Sequence, residues 1–210
     1  MTDIREMNAL AVRDSMEIVG KVRAGDLGRA TPCAGWTLAD LLGHMTVQHR
    51  GFAAAARGDG ADLRHWEFVA AGENSVEEYL AASEEVLAAF AEVDDALETT
   101  FALPEFKVDP PEFPARLAIG FHFIDYVVHA WDVAATLGVP YVLRPELEQD
   151  ALRVALAVPN EGNRLADGSA FVPALEEPAP DGSGEAQAPV LDRVLRYLGR
   201  TPDWQPPAGE

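Results

Sequence analysis

Residues 117–135 read LAIGFHFIDYVVHAWDVAA, and how that stretch folds decides the rest of the chain. Apolar side chains fall on every side of it, among them Ile119, Phe123, Ile124, Val127, Val128 and Val133. Its acidic and imidazole residues are His122, Asp125, His129 and Asp132. At about 100° per residue they sit near 0°, 300°, 340° and 280° on a helical wheel, within an arc of roughly 80°. A helix that is apolar around most of its girth is a buried one. A polar stripe buried with it must find partners, because an unpaired buried charge is costly. Three arrangements satisfy that demand: the solvent face of an amphipathic helix, a hydrogen-bonded network in the core, or a metal or catalytic site. Asp125 and His129 are four residues apart, so both can converge on one ion, as in the helical metal motifs with that spacing. A third ligand must come from another element.

Outward from that stretch the chain reads as helices. Residues 3–24 carry apolar side chains at spacings of three and four, an amphipathic helix ended by Gly25. After the Pro- and Gly-containing turn RATPCAGW, Thr37 and Asp40 form a capping-box-like pair that opens a helix to about Arg57. On it Asp40, His44 and Gln48 share a face, and His44 sits between Leu41, Leu42 and Met45, close to the core. His44 is therefore either a core histidine bonded to a carbonyl or the missing third ligand. His49, beside Arg50, reads as a surface residue, and His65 has no spaced partner.

Ser75 and Glu78 repeat the capping box for a third helix over 75–93, whose Glu77, Glu78, Glu84 and Glu85 make a solvated face. Residues 99–114 hold four prolines and read as a connection with a short extended piece. The central helix follows and stops at Gly138, with Pro140 just beyond. Pro145 opens another helix to about Val158, and residues 189–199 form a last short one. Between them lies a Gly-, Pro- and acid-rich segment with a strand-like FVPAL (171–175). The pattern is all-α, an up-and-down four-helix bundle with an irregular C-terminal extension containing a short helix.

The chain has 210 residues and a formal net charge of -19. That charge repels phosphate backbones and anionic membrane surfaces, which disfavours nucleic-acid and membrane partners. A single cysteine, Cys33, excludes an internal disulfide and a cysteine-cluster metal site. Cys33 lies just before a helix start, where thiolates are favoured, but no histidine is spaced to activate it, and it reads as a structural turn residue. The N-terminus carries early acids and no long apolar core, unlike a secretory signal. The expectation is a cytoplasmic protein, monomer or homodimer, with a small-molecule substrate.

Three segments together resemble a known family: TPCAGWTLADLLGH (31–44), HFIDYVVHAWDVA (122–134) and LDRVLRYLGRTPDW (191–204). They look like the metal-binding bundles of the DinB superfamily. More narrowly, they are similar to its actinobacterial branch that includes the N-terminal domain of mycothiol-dependent maleylpyruvate isomerase, and the tail resembles a single-domain subgroup. The resemblance implies a DinB-like metal-binding bundle over residues 1–140, with 141–210 packed on the same domain as a helix and irregular wrap. It further implies a divalent ion, zinc or nickel, held by His44, Asp125 and His129 in a cleft open at one end. The isomerase pattern has Glu where this chain has Asp125, an arm shorter by about one C–C bond. His122, one turn away, is the alternative ligand, and Asp132 and His122 are candidate outer partners that orient the imidazoles.

Two imidazoles and one carboxylate leave a divalent ion with vacant positions, the composition of a catalytic rather than a closed structural site. The functional expectation is a metal-dependent transferase or isomerase that uses mycothiol, or another low-molecular-weight thiol, on a small electrophilic metabolite. Two other classes compete. One is a non-catalytic bundle that binds a metal or small ligand. The other is a metal-free acid–base enzyme of natural-product metabolism, using His122, Asp125 or His129 directly.

Overall fold

The computed structural model describes residues 3–106, 108–160, 164, 171–176 and 188–207. The described residues form six α-helices: α1 (Ile4–Val19), α2 (Leu38–Ala56), α3 (Ser75–Ala91), α4 (Ala115–Leu137), α5 (Pro145–Ala157) and α6 (Val190–Tyr197). Two short strands, β1 (Thr100–Ala102) and β2 (Glu112–Pro114), pair antiparallel in the connection between α3 and α4, with Phe101 opposite Phe113. The fold is the all-α bundle expected from the apolar periodicity. Its main pairings join α1 to α4 and α2 to α3, with further contacts of α1 with α3 and α2 with α4. Helices α2 and α4 are thereby neighbours, which sets their polar stripes against each other.

Helix α4 lies at the centre. Ile119, Phe123, Ile124, Val127, Val128 and Val133 are all buried, on faces that point to different partners. At about 25 cal/mol per Å2 of apolar surface, burial of side chains this size is worth roughly 1.5–3 kcal/mol each relative to exposure. The helix ends where Gly138 adopts φ 69°, a left-handed conformation that a Cβ disfavours. Val139 N–H then bonds Ala134 O at 3.0 Å.

Helix α2 starts as expected. The Thr37 side chain accepts from Asp40 N–H, and Asp40 accepts from Thr37 N–H in return. Near its middle the loop 67–71 crosses so closely that a Cβ on Gly43 would meet Val69 O at 2.3 Å, so only glycine admits this approach beside His44. Tyr126 of α4 donates its hydroxyl to Met45 O of α2, fixing the two helices in register.

Three local expectations are corrected. Helix α1 stops at Val19 with Gly20 as its cap, because Gly20 and Lys21 N–H turn back onto Met16 and Ile18 carbonyls well before Gly25. Helix α3 is capped by Asn74 without a side-chain bond; Ser75 is already helical and buried, so no capping box forms with Glu78. Residues 171–175 form no strand; Leu175 N–H bonds Arg196 O at 2.9 Å instead.

The described parts of residues 141–207 pack onto the bundle. Leu143, Leu147, Ala151, Val194, Leu195 and Leu198 belong to one buried cluster with α4 residues. Arg144 clamps Asp14 of α1, with Nε at 2.8 Å from both carboxylate oxygens. Among the described residues no helix is long and apolar enough to cross a membrane.

Candidate metal centre between α2 and α4

His44 projects from α2 and Asp125 and His129 from α4, and their ligand atoms all lie within 4.8 Å of one another. His129 Nε2 is 3.3 Å from Asp125 Oδ1, and His44 Nε2 is 3.8 Å from Asp125 Oδ2. Donors arranged tetrahedrally at zinc bond lengths would stand about 3.3 Å apart. The His129–Asp125 separation matches that spacing and the His44–Asp125 one, at 3.8 Å, is somewhat wider; the short Asp125 arm reaches both because α2 and α4 are direct neighbours. Trp36 leans on His44, ring centroids 5.1 Å apart, and His44 meets His129 edge-on at 5.2 Å.

The decisive atom is His129 Nε2. It is buried, it faces the space between Asp125 and His44, and it makes no hydrogen bond among the described residues. Buried polar atoms are rarely left without a partner. The other ring nitrogen is fully committed: Nδ1 pairs with Asp132 Oδ2 at 2.8 Å, so Nε2 is the nitrogen presented to a ligand. An orphaned imidazole nitrogen, a carboxylate and a second imidazole together fit a divalent cation.

Electrostatics agree with that fit. Burial works to raise the Asp125 carboxyl, but the charge of His129, then of His44, overcomes it and holds the group below the usual carboxylate range. Burial works to lower His129, and the charge of Asp125 overrides it, so in the absence of a cation the imidazole keeps its proton well above the ordinary range. A cation binding here must displace that proton, so its affinity falls as pH falls.

Behind His129 stands a second layer, of which the sequence named Asp132 but not its partners Arg200 and Cys33. Asp132, fully buried, accepts from Arg200 Nε at 3.1 Å and Nη2 at 3.2 Å as well as facing His129. Burial would raise the Asp132 carboxyl, but the Arg200 charge holds it low. Asp132 thus serves as the outer partner of an imidazole, the role read for it from the sequence, and also as the ion-pair partner of an arginine. Arg200 reaches it because α6 ends in a left-handed turn. Gly199 has φ 79°, its N–H bonds Arg196 O at 3.0 Å, and Arg200 N–H bonds Leu195 O at 2.8 Å. Cys33 joins the same layer: its thiol lies 3.3 Å from Asp132 Oδ2 and accepts from Arg200 Nη2 at 3.1 Å. Burial and the Asp132 charge push that thiol above its ordinary pKa.

His122 is placed elsewhere. It is fully buried and its Nε2 meets His49 Nδ1 at 3.1 Å, while its Nδ1 meets Asn8 Oδ1 at 2.7 Å. His49, expected at the surface, is fully buried, bonded to Ser83 Oγ at 2.9 Å and stacked on Tyr126 at 4.0 Å. Its position some 140° around α2 from His44 at about 100° per residue turned out to face the bundle interior, where Arg50 beside it faces out. Burial pushes His122 down to about 3 and holds His49 well below its ordinary value. The four-residue stripe therefore divides: Asp125, His129 and Asp132 turn towards His44, while His122 belongs to a polar core chain. His65, read as unpartnered, sits 2.8 Å from Asp59 at the surface.

The sequence model of the mycothiol maleylpyruvate isomerase N-terminal domain family matches residues 9–134, more than half of the chain. The chain belongs to that family. The region matched to the isomerase N-terminal domain takes in Cys33, His44 and the whole polar stripe of α4, and leaves Arg200 beyond its end. Two uncharacterized proteins of Mycobacterium tuberculosis, MT0763 and Rv0738, are each 30% identical over 189 residues, covering 88% of this chain and 90% of theirs. Among solved structures, a histidine-to-alanine mutant of the mycothiol-dependent maleylpyruvate isomerase superposes with a TM-score of 0.56 at 11% identity. The alignment covers 75% of this chain and 71% of that one, a likeness of fold between members of the isomerase N-terminal domain family.

Proposed function

We propose that this protein is a metal-dependent enzyme that uses a low-molecular-weight thiol, mycothiol, in an isomerase- or transferase-type reaction on a small electrophilic metabolite. The carrying observation is the orphaned Nε2 of buried His129, facing Asp125 and His44 at ligand spacing. His44, Asp125 and His129 would hold the ion, zinc first and nickel as the alternative, both of which imidazole and carboxylate donors suit. Bound there, a divalent ion supplies Lewis acidity that makes a thiol at neutral pH a thiolate.

The chain's own residues do the rest. Asp132 fixes the tautomer of His129 by taking its Nδ1 proton in a hydrogen bond, and Arg200 keeps Asp132 ionised. Residues 141–210 act here as an extension of the 1–140 bundle that secures an outer partner of its site. Cys33 is not the nucleophile, since its surroundings favour the protonated thiol. The reaction takes place in the cytoplasm, in a monomer or homodimer.

The test is metal content of the freshly purified protein, followed by calorimetric titration of mycothiol into zinc-loaded protein and turnover assays with maleylpyruvate and other electrophiles. The reading expects about one equivalent of divalent metal, lost in His44→Ala and His129→Ala, and heat on thiol addition that requires the metal. Metal without thiol binding or turnover would favour a non-catalytic binding bundle. Turnover by metal-free protein would favour acid–base chemistry at the same side chains.

A further inference from the structure

Residues 31–36 close a tight turn against the start of α2. Trp36 N–H donates to Cys33 O at 2.9 Å, and Gly35, with φ 82°, takes the left-handed third place of that four-residue turn. Thr31 N–H donates to Trp36 O at 3.2 Å and Leu38 N–H to Arg29 O at 2.9 Å, so the backbone on both sides of Trp36 is tied down. The Cys33 thiol, 3.3 Å from Asp132 Oδ2, ties the same turn to α4. Trp36 stands immediately before Thr37, the N-cap of α2. An apolar residue there ordinarily packs on the fourth helical residue, which is Leu41. The indole reaches nearly a turn further, to the ring of His44, with centroids 5.1 Å apart and planes at 59°.

We propose that Trp36 is the positioning residue of His44, its indole holding the imidazole in the placement that faces Asp125 and His129. The proposal rests on the metal reading above and not on the thiol. The two imidazoles of the cluster are held in different ways. The His129 side chain is 2% exposed and has Asp132 behind its Nδ1 at 2.8 Å. That of His44 is 18% exposed, and its ring meets the indole of Trp36 and the edge of His129, the latter with centroids 5.2 Å apart at 78°. Through Cys33 the turn that carries Trp36 also touches the layer behind His129, so one segment bears on both imidazoles.

Such a contact acts by removing alternative rotamers. An imidazole has three χ1 wells and a roughly two-fold ring torsion, so about six placements. Only the placement that turns Nε2 to Asp125 Oδ2, at 3.8 Å, serves the cluster. A ligand competent for about a sixth of the time binds its ion about six-fold more weakly, since affinity falls in proportion to the competent fraction. Paired aromatic rings prefer offset or edge-on arrangements at centroid distances of about 4.5–7 Å, so a ring restricts the tilt of its neighbour, a preference that an aliphatic side chain lacks.

The experiment compares the zinc affinity of full-length wild type, Trp36→Phe and Trp36→Leu by competition with a chromophoric chelator. Trp36→Leu should bind zinc about 5- to 10-fold more weakly. Trp36→Phe, which keeps a ring, should recover affinity to within about two-fold of wild type. Equal affinity in wild type and Trp36→Leu overturns the proposal, and so does a Phe variant as weak as the Leu variant, which would mark a packing role only. Fluorine-19 NMR of protein labelled with 5-fluorotryptophan gives a second readout even if Trp36→Leu does not fold. The chain has four tryptophans, and the Trp36 resonance is the one missing from Trp36→Phe. It should move when zinc is added. The resonance of Trp66, packed on Phe52 with centroids 5.6 Å apart and its Nε1–H on Gly60 O, should stay in place. A Trp36 resonance indifferent to zinc overturns the proposal as well. A wild type that takes up no zinc refutes the metal reading and this proposal together; one that takes up zinc but fails either comparison refutes this proposal alone.

Discussion

Arg200 and Asp132, 68 residues apart in sequence, form a buried ion pair with Nε 3.1 Å from Oδ1, directly behind the imidazole of His129. The C-terminal turn thus fixes the orientation of a side chain in the bundle's central helix.

Breaking that pair leaves a carboxylate buried without its countercharge. Arg200→Ala should therefore lower the free energy of unfolding by about 3–5 kcal/mol, far more than loss of a surface ion pair. Urea unfolding followed by circular dichroism measures it; a change within the range of a surface substitution would show that Asp132 finds another partner.

Replacing Asp132 by Asn should keep the packing and weaken divalent metal binding by about 10- to 100-fold, because the Nδ1 hydrogen bond no longer fixes the imidazole. Competition titration with a chromophoric zinc chelator gives the ratio. Equal affinities in the two proteins would mean that His129 is oriented by packing alone.

Gly199 offers a test that touches no ligand. Its φ of 79° disfavours a Cβ, and an added Cβ would lie 2.3 Å from Val172 Cγ2 and 2.7 Å from Val172 O. Gly199→Ala should cost about 1–3 kcal/mol of stability and lower zinc affinity in the same direction as Asp132→Asn. Unchanged zinc affinity in a destabilised Gly199→Ala protein would uncouple the tail from the site.

The buried pair His49 and His122 makes acid stability legible. Both have folded pKa values below that of an unfolded histidine, with His122 near 3. Below about pH 6.5 the unfolded chain binds protons that the folded chain refuses, so stability falls as pH drops. Asp125, whose folded pKa is depressed, adds loss only in the carboxylate range below, and His129, whose folded pKa is raised, acts above pH 6.5. Between about pH 4.5 and 6 each of the two histidines should contribute a slope approaching 1.4 kcal/mol per pH unit, offset by up to one proton's worth by Glu105, whose raised pKa makes the folded chain hold a proton in the same window. Chemical unfolding of metal-free protein across that window should show it, and His122→Asn should flatten it by about one proton; a flat wild-type profile would contradict the neutral buried pair.

Cys33 should be slow to react. With its thiol buried beside Asp132, alkylation by iodoacetamide at pH 7.5 should lag well behind that of the unfolded chain, and Cys33→Ser should keep turnover. Loss of turnover in Cys33→Ser with metal binding intact would give the thiol a chemical role.

The amino-acid sequence by itself determined the helices, while the meeting of α2 with α4 was implied only by the family likeness. Apolar periodicity, the Thr37–Asp40 cap and the Gly138 stop are local signals, each carried by residues within a few positions of one another. The i, i+4 spacing of Asp125 and His129 was equally local, and the family likeness added His44 from a separate helix. Only the tertiary structure decided how the stripe divides, with His122 turned to His49 and Asn8 rather than to His44. It alone brought Arg200 and Cys33 behind His129 and Glu105 against Gln48, and it turned His49 inward. Each of these depends on contacts across 57 to 167 positions, such as Gln48 to Glu105, Arg200 to Asp132 and Arg200 to Cys33. Helical periodicity fixes which side chains share a face, but the neighbour that covers the face is set by packing of the whole chain.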